Sequence, residues 1–175
     1  MSSDQIEPTE PRLELLGRFR AELSEPLELG QTVWGRRRVI PIAGGDFDGP
    51  LLRGTILPGG ADWQVVHPDG MATIDTRYTL QTHDGALVSV ATQGMRHGPP
   101  EVLARIAAGE PVDPAEYYFR VSIRYEVAEA EYAWLNRIVA VASAIRLVNT
   151  VVYDAYALRS PGATAGGCAG PPVPR

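Results

Sequence analysis

Glycine and proline punctuate this chain in clusters, and the intervals between clusters are too short for repeated strand–helix–strand units. The main clusters are Gly44-Gly45-Asp46-Phe47-Asp48-Gly49-Pro50, Leu57-Pro58-Gly59-Gly60 and His67-Pro68-Asp69-Gly70. The intervening segments alternate or are β-branched, which is the pattern of many short strands. Strands are expected at Leu13–Leu23, Val33–Ile42, Leu51–Ile56, Asp62–His67, Met71–Gln81, Ala86–Gly94, Tyr117–Val127, Asn136–Leu147 and Val151–Leu158. Asp69-Gly70 and Asp84-Gly85 supply the positive φ of tight hairpin turns, so the strands they join are antiparallel neighbours. Only two stretches read as helical: Pro100–Ala108, with Val102, Leu103 and Ile106 at helical spacing and Gly109 as its stop, and the short Glu129–Leu135.

A chain of 175 residues fits one domain whose core needs neither disulfide nor structural metal. So many strands exceed what a flat sheet of this length manages, so the expected fold is all-β with one or two short helices: an antiparallel closed β-barrel, calycin-like, with a β-sandwich as the alternative. Residues 1–11 are expected to form a flexible tail, 12–159 the single barrel domain, and 160–175 a disordered Gly/Pro-rich tail. The lone Cys168 falls in that second tail, with no thiol to pair with or to share a zinc ion. The net charge of −5 has the wrong sign for a protein that neutralises phosphates, so no nucleic-acid partner is expected. Arg36-Arg37-Arg38, the one compact basic run, reads as a solvated or partner-facing edge. No apolar run approaches the roughly 20 residues that span a bilayer, and the first ten residues are polar and acidic, so a cytoplasmic protein without a membrane partner is expected.

Alternation divides the strands into two faces. In Met71–Leu80 one face carries Ala72, Ile74, Thr76, Tyr78 and Leu80, the other Met71, Thr73, Asp75, Arg77 and Thr79. In Tyr117–Val127 the polar face carries Tyr118, Arg120, Ser122, Arg124 and Glu126. Such faces ordinarily meet solvent, but these offer Asp, Arg and Tyr, side chains with directional hydrogen bonds, in a chain without lysine. The glycine clusters read as tight turns at a barrel rim or as ligand-positioning loops; they lack the register of a nucleotide cradle. Asp62 follows a double glycine and adjoins Trp63, an aromatic wall that would desolvate the carboxylate and raise its pKa. His67, His83 and His97 have no metal-ligand spacing; His67 and His83 read as surface residues, while His97 beside Arg96 suits a pocket mouth. No serine or cysteine has the setting of a nucleophile.

The motifs Ile42-Ala43-Gly44-Gly45 with Phe47 and Gly49-Pro50, Leu57-Pro58-Gly59-Gly60-Ala61-Asp62-Trp63, Asp75-Thr76-Arg77-Tyr78, Tyr117-Tyr118-Phe119-Arg120 and Tyr132-Ala133-Trp134-Leu135-Asn136-Arg137 together resemble domain-of-unknown-function family 3237. The resemblance extends from about Leu13 to Leu158, with local departures at Arg146–Thr150 and in the tail. It implies a compact, self-associating antiparallel barrel, expected as a homodimer, of the kind that accompanies small-molecule, often secondary, metabolism.

These observations lead to an expected function: a cofactor-independent isomerase, cyclase or dehydratase (lyase) acting by acid–base chemistry on a carbonyl-containing apolar molecule, polyketide-like or aromatic, inside the barrel. The alternative is a barrel that binds its ligand without catalysis. Neither reading calls for a metal or an organic cofactor. Asp62 or Asp75 would take the proton, Arg77 and Arg120 would stabilise enolate or carboxylate charge, and Tyr118 or Glu126 would return a proton. Trp63 and Trp134 would be apolar walls, Asn136 a neutral donor, and Arg96 a further binding residue.

Overall fold

The computed structural model describes residues 7–161. Residues 1–6 and 162–175, and with them Cys168 and most of both expected tails, lie outside the described residues. The strands are β1 (Arg12–Leu23), β2 (Leu27–Thr32), β3 (Gly35–Asp48), β4 (Gly54–Ile56), β5 (Ala61–Val66), β6 (Ala72–Thr82), β7 (Leu87–His97), β8 (Tyr118–Val127), β9 (Ala140–Arg146) and β10 (Thr150–Arg159). One α-helix, α1 (Pro100–Ala107), and 3-10 segments at Pro114–Glu116 and Ala130–Arg137 lie in the connections.

Every pairing is antiparallel, and β1 bonds both β10 and β3. The short β4 and β5 together fill one position between β3 and β6. The sheet therefore closes on itself as an eight-stranded barrel, and β2 lies outside the ring on the first half of β3. Closure removes the free edges that a sandwich would leave.

The expected strand at Val33–Ile42 is redrawn. Val33 and Trp34 are an exposed turn between β2 and β3, and β3 continues through Gly44-Gly45 to Asp48. The double glycine is thus no rim turn. A Cβ at Gly45 would lie 2.0 Å from the Arg20 carbonyl oxygen, so this stretch of β3 approaches β1 as only glycine allows. Similarly, residues 136–137 belong to the 3-10 segment, and β9 begins at Ala140.

Alternation, shifted in β1 by an irregularity between Leu15 and Gly17, places Leu16 and Phe19 of β1, Phe47 of β3, Leu80 of β6 and Val88 of β7 inside one end of the barrel. Phe19 stacks between Phe47 and Tyr153, with centroids 4.9 and 4.8 Å away. The 3-10 segment Ala130–Arg137 caps this end with buried Tyr132 and Leu135. Asn136 fastens the cap to the last residue of β8: its Oδ1 accepts from Val127 N at 2.9 Å and its Nδ2 donates to Val127 O at 2.8 Å. Asn136→Ala removes both bonds and is expected to cost about 1–2 kcal/mol in urea unfolding. Towards the other end small side chains, notably Ala21 and Ala144, leave part of the lumen unfilled. No helix among the described residues is long and apolar enough to cross a membrane.

Candidate functional site

That space is a cavity of about 70 Å³ inside the barrel. Its apolar wall includes Ile40, Ile42, Ile74, Phe119 and Val121. Its polar groups are Asp62 and Gln64 on β5, Thr76 and Tyr78 on β6, Thr92 and Arg96 on β7, Arg146 at the end of β9 and Tyr153 on β10. They stand on inward positions of strands whose other inward residues are mostly apolar, and the charged ones collect at the end opposite the Leu135 cap.

Asp62 is 9 % exposed. Its Oδ1 accepts from the Asp75 backbone N at 3.1 Å and its Oδ2 from Gln64 Nε2 at 2.8 Å. Gln64 Oε1 in turn accepts from Arg38 Nε at 2.8 Å, and also from the Arg38 Nη2. Burial pushes the Asp62 carboxyl above its ordinary pKa, against the opposing pull of the Asp75 N–H, Gln64, Thr76 and the Arg38 charge. Arg96 is pushed down to about 10, first by burial and then by the charges of Arg38 and Arg146, and so stays protonated at neutral pH. Burial also lowers Arg146, and the Arg38 charge adds to that effect. Deeper in the lumen the Tyr78 and Tyr153 hydroxyls bond each other, and Tyr125 presents a buried hydroxyl. Burial raises Tyr78 and Tyr153 well above the usual phenol range, so both remain protonated donors.

Of the residues singled out from the sequence, the lumen receives Asp62 and Arg96. Asp75, Arg77, Tyr118, Arg120 and Glu126 stand on the outer face instead, all exposed except the half-buried Asp75. The reason is dimensional: an eight-stranded barrel has an interior just wide enough for side chains, and the apolar faces fill it. Asp75 and Arg77 form a surface ion pair at 3.7 Å. Tyr118 and Arg120 border an open external groove of about 540 Å³ with Met95 and Leu13, and the Arg120 guanidinium lies over the Tyr118 ring. His97 stacks on that ring from outside rather than lining a pocket mouth. Trp63 points away from Asp62 and is 39 % exposed, so aliphatic and tyrosine side chains, rather than the indole, desolvate the carboxylate. Trp134 and Asn136 belong to the capped end, Trp134 under Arg159. Arg77→Ala is expected to change stability by no more than about 0.5 kcal/mol, as thermal denaturation would register.

Residues the sequence reading did not select are Arg38, Gln64, Tyr78, Tyr153 and Arg146. Arg36 and Arg37 of the basic run do lie at the surface, bonded to Glu28 and to the Trp63 carbonyl, but Arg38 turns inward. The available signal was a charge at the end of an apolar stripe, as in Ala140, Ala142, Ala144, Arg146. Among the described residues no three His, Cys, Asp or Glu side chains are grouped as metal ligands.

A closed antiparallel barrel with a small, largely apolar lumen and buried charges at one end is the class of protein that fold and site define. The chain belongs to the family described as protein of unknown function DUF3237, whose profile matches residues 11–158. A UPF0311 protein of Rhodopseudomonas palustris is 39% identical over 136 residues, which is 78% of this chain and 89% of the relative. Another from Clostridium acetobutylicum is 36% identical over 135 residues, 77% of this chain and 85% of the relative. The crystal structure of a beta-barrel like protein from Acinetobacter baumannii is similar with a TM-score of 0.79 at 49% identity, covering 89% of this chain and 100% of that one. An enzyme from Penicillium herquei shares the fold at 24% identity and a TM-score of 0.62, over 88% of this chain and 98% of its own.

Proposed function

We propose that the barrel binds a small, largely apolar carbonyl compound in its lumen and performs cofactor-independent proton transfer on it: an isomerisation, cyclisation or dehydration. The observation that carries this reading is Asp62, a carboxylate inside an apolar cavity that also presents arginines and tyrosine hydroxyls. The Asp62 carboxylate takes a proton from the carbon next to the carbonyl, and the C–H electron pair moves onto the carbonyl oxygen as an enolate. Arg96 or a Tyr78 hydroxyl stabilises that oxygen in a site with little competing water. The Asp62 carboxyl then returns the proton to a second carbon, completing an isomerisation, or to a departing hydroxyl, which leaves as water. Its raised pKa suits both halves of the cycle.

The test is deuterium uptake by β-tetralone in D2O, followed by proton NMR. Uptake at the α carbon in proportion to protein, above the buffer rate, is the expected result; uptake at the buffer rate contradicts the catalytic reading. A second reading, a non-catalytic binding barrel, is favoured by the Arg38–Gln64–Asp62 chain, because both Asp62 oxygens already have internal donors. It predicts binding of β-tetralone without exchange.

A further inference from the structure

The hydrogen bonds of the lumen leave its positive charge unbalanced. Three guanidinium groups, of Arg38, Arg96 and Arg146, act on one another and on the carboxylate of Asp62; the exposed Glu28 also acts on Arg38, which leaves Arg96 and Arg146 to share Asp62. That carboxylate is already engaged by the Asp75 N–H and by Gln64, and Gln64 also occupies Arg38. Arg96 Nε and Arg146 Nη1 are buried with no hydrogen-bond partner. The ion pairs formed among the described residues include none of these three arginines. A buried guanidinium N–H without an acceptor is costly, and each of these two half-buried side chains lines the cavity. Arg96 and Arg146 end the inward stripes of β7 and β9, so both sit at the charged end while the space beneath them is walled by Ile74, Val121, Tyr78 and Tyr153.

We infer that the ligand is an organic carboxylate, its anionic head bound by Arg96 and Arg146 and its apolar body pointing into the barrel towards Tyr78 and Tyr153. This rests on the lumen being the ligand site and adds the charge of what occupies it. A carboxylate matches the planar fork of a guanidinium, and one small monoanion supplies the acceptors that both unpartnered N–H groups need. The largely apolar remainder of the cavity suits a hydrocarbon or aromatic body and offers no second cluster of cations for a polyphosphate.

The experiment uses the full chain and three probes, benzoate, benzamide and inorganic phosphate, each titrated while the arginine Nε–H signals are followed by NMR. Benzoate is expected to shift the Arg96 signal saturably, with benzamide at least about tenfold weaker and phosphate without effect. Arg96→Gln and Arg146→Gln should each weaken benzoate at least about tenfold, while Arg120→Gln, on the outer face, should leave its affinity unchanged. The acid–amide contrast in the wild-type protein decides the matter even if a lumen variant fails to fold. Equal shifts of the lumen signals by benzamide and benzoate, or a stronger response to phosphate, overturn the carboxylate inference and leave lumen binding standing. If neither benzoate nor benzamide moves a lumen signal, lumen binding itself is contradicted and the inference falls with it.

Discussion

Gly45→Ala is expected to destabilise the fold severely, lowering stability by roughly 3–5 kcal/mol through backbone strain and overpacking together. Gly45 pairs with Ala21 of β1 on one side and Ile56 of β4 on the other, at the seam where the sheet closes. Its φ is +142°, and an added Cβ would lie 2.0 Å from Arg20 O and 3.1 Å from the Arg20 carbonyl carbon. Those are main-chain atoms in a paired strand and cannot step aside as a flexible side chain does. The loss is a large share of the about 5–15 kcal/mol that holds an ordinary domain together, so the variant should express as aggregate or melt far below the wild type. Gly59→Ala is the control. Its φ of +111° is also unfavourable to alanine, but nothing lies within 4 Å of the added carbon, so its cost should be limited to strain of about 1–3 kcal/mol. Equal melting temperatures for the two variants would mean that β1 and β3 do not meet as closely as closure requires.

Asp62→Asn is expected to lower deuterium exchange into β-tetralone by about 10²–10⁴-fold while leaving affinity for the compound nearly unchanged. Asparagine keeps the shape and one acceptor oxygen for the Asp75 N–H or for Gln64, but it cannot accept the proton. The same substitution has a signature in stability. Because burial raises the Asp62 pKa in the folded protein, the folded state binds that proton more tightly than the unfolded chain does. This contribution therefore falls as pH rises from the ordinary carboxylate range through the raised folded value. Melting curves of wild type and variant over that window isolate it: wild type should lose ground to the variant as pH increases. A difference that stays constant with pH would place the carboxyl in a water-like environment and remove the basis for its role as an acid–base group.

The closed barrel was legible because turn chemistry and alternation act locally: Asp69-Gly70 and Asp84-Gly85 join β5 to β6 and β6 to β7, the two hairpins expected of them. Closure itself depends on β1 meeting β3, a long-range contact whose mark in the sequence is a double glycine, and a glycine pair reads equally well as a turn. Asp62 was legible because a carboxylate between Ala61 and Trp63, after two glycines, stands out from its surroundings. The lumen arginines were not. Alternation tells which residues share a face but not which face is inside, and the face richest in chemistry, with Arg77, Arg120 and Glu126, proved to be the solvated one. The lumen gathers its polar groups differently, by changing character along a single inward stripe. In β9 that stripe runs Ala140, Ala142, Ala144, Arg146, and in β7 it runs Val88, Val90, Thr92, Gly94, Arg96. Where along each stripe the barrel is plugged and where it stays hollow depends on the register of distant strands, which no local pattern carries.

The most direct test of lumen function is a high-resolution crystal structure of the protein purified from its own host and never exposed to added ligand. Density for a small organic molecule within the barrel, in contact with Asp62 and with the Arg96 or Arg146 guanidinium, is the expected result. A lumen closed by side chains or holding only water, with an organic molecule instead on the outer face beside Arg120 and Tyr118, would contradict it.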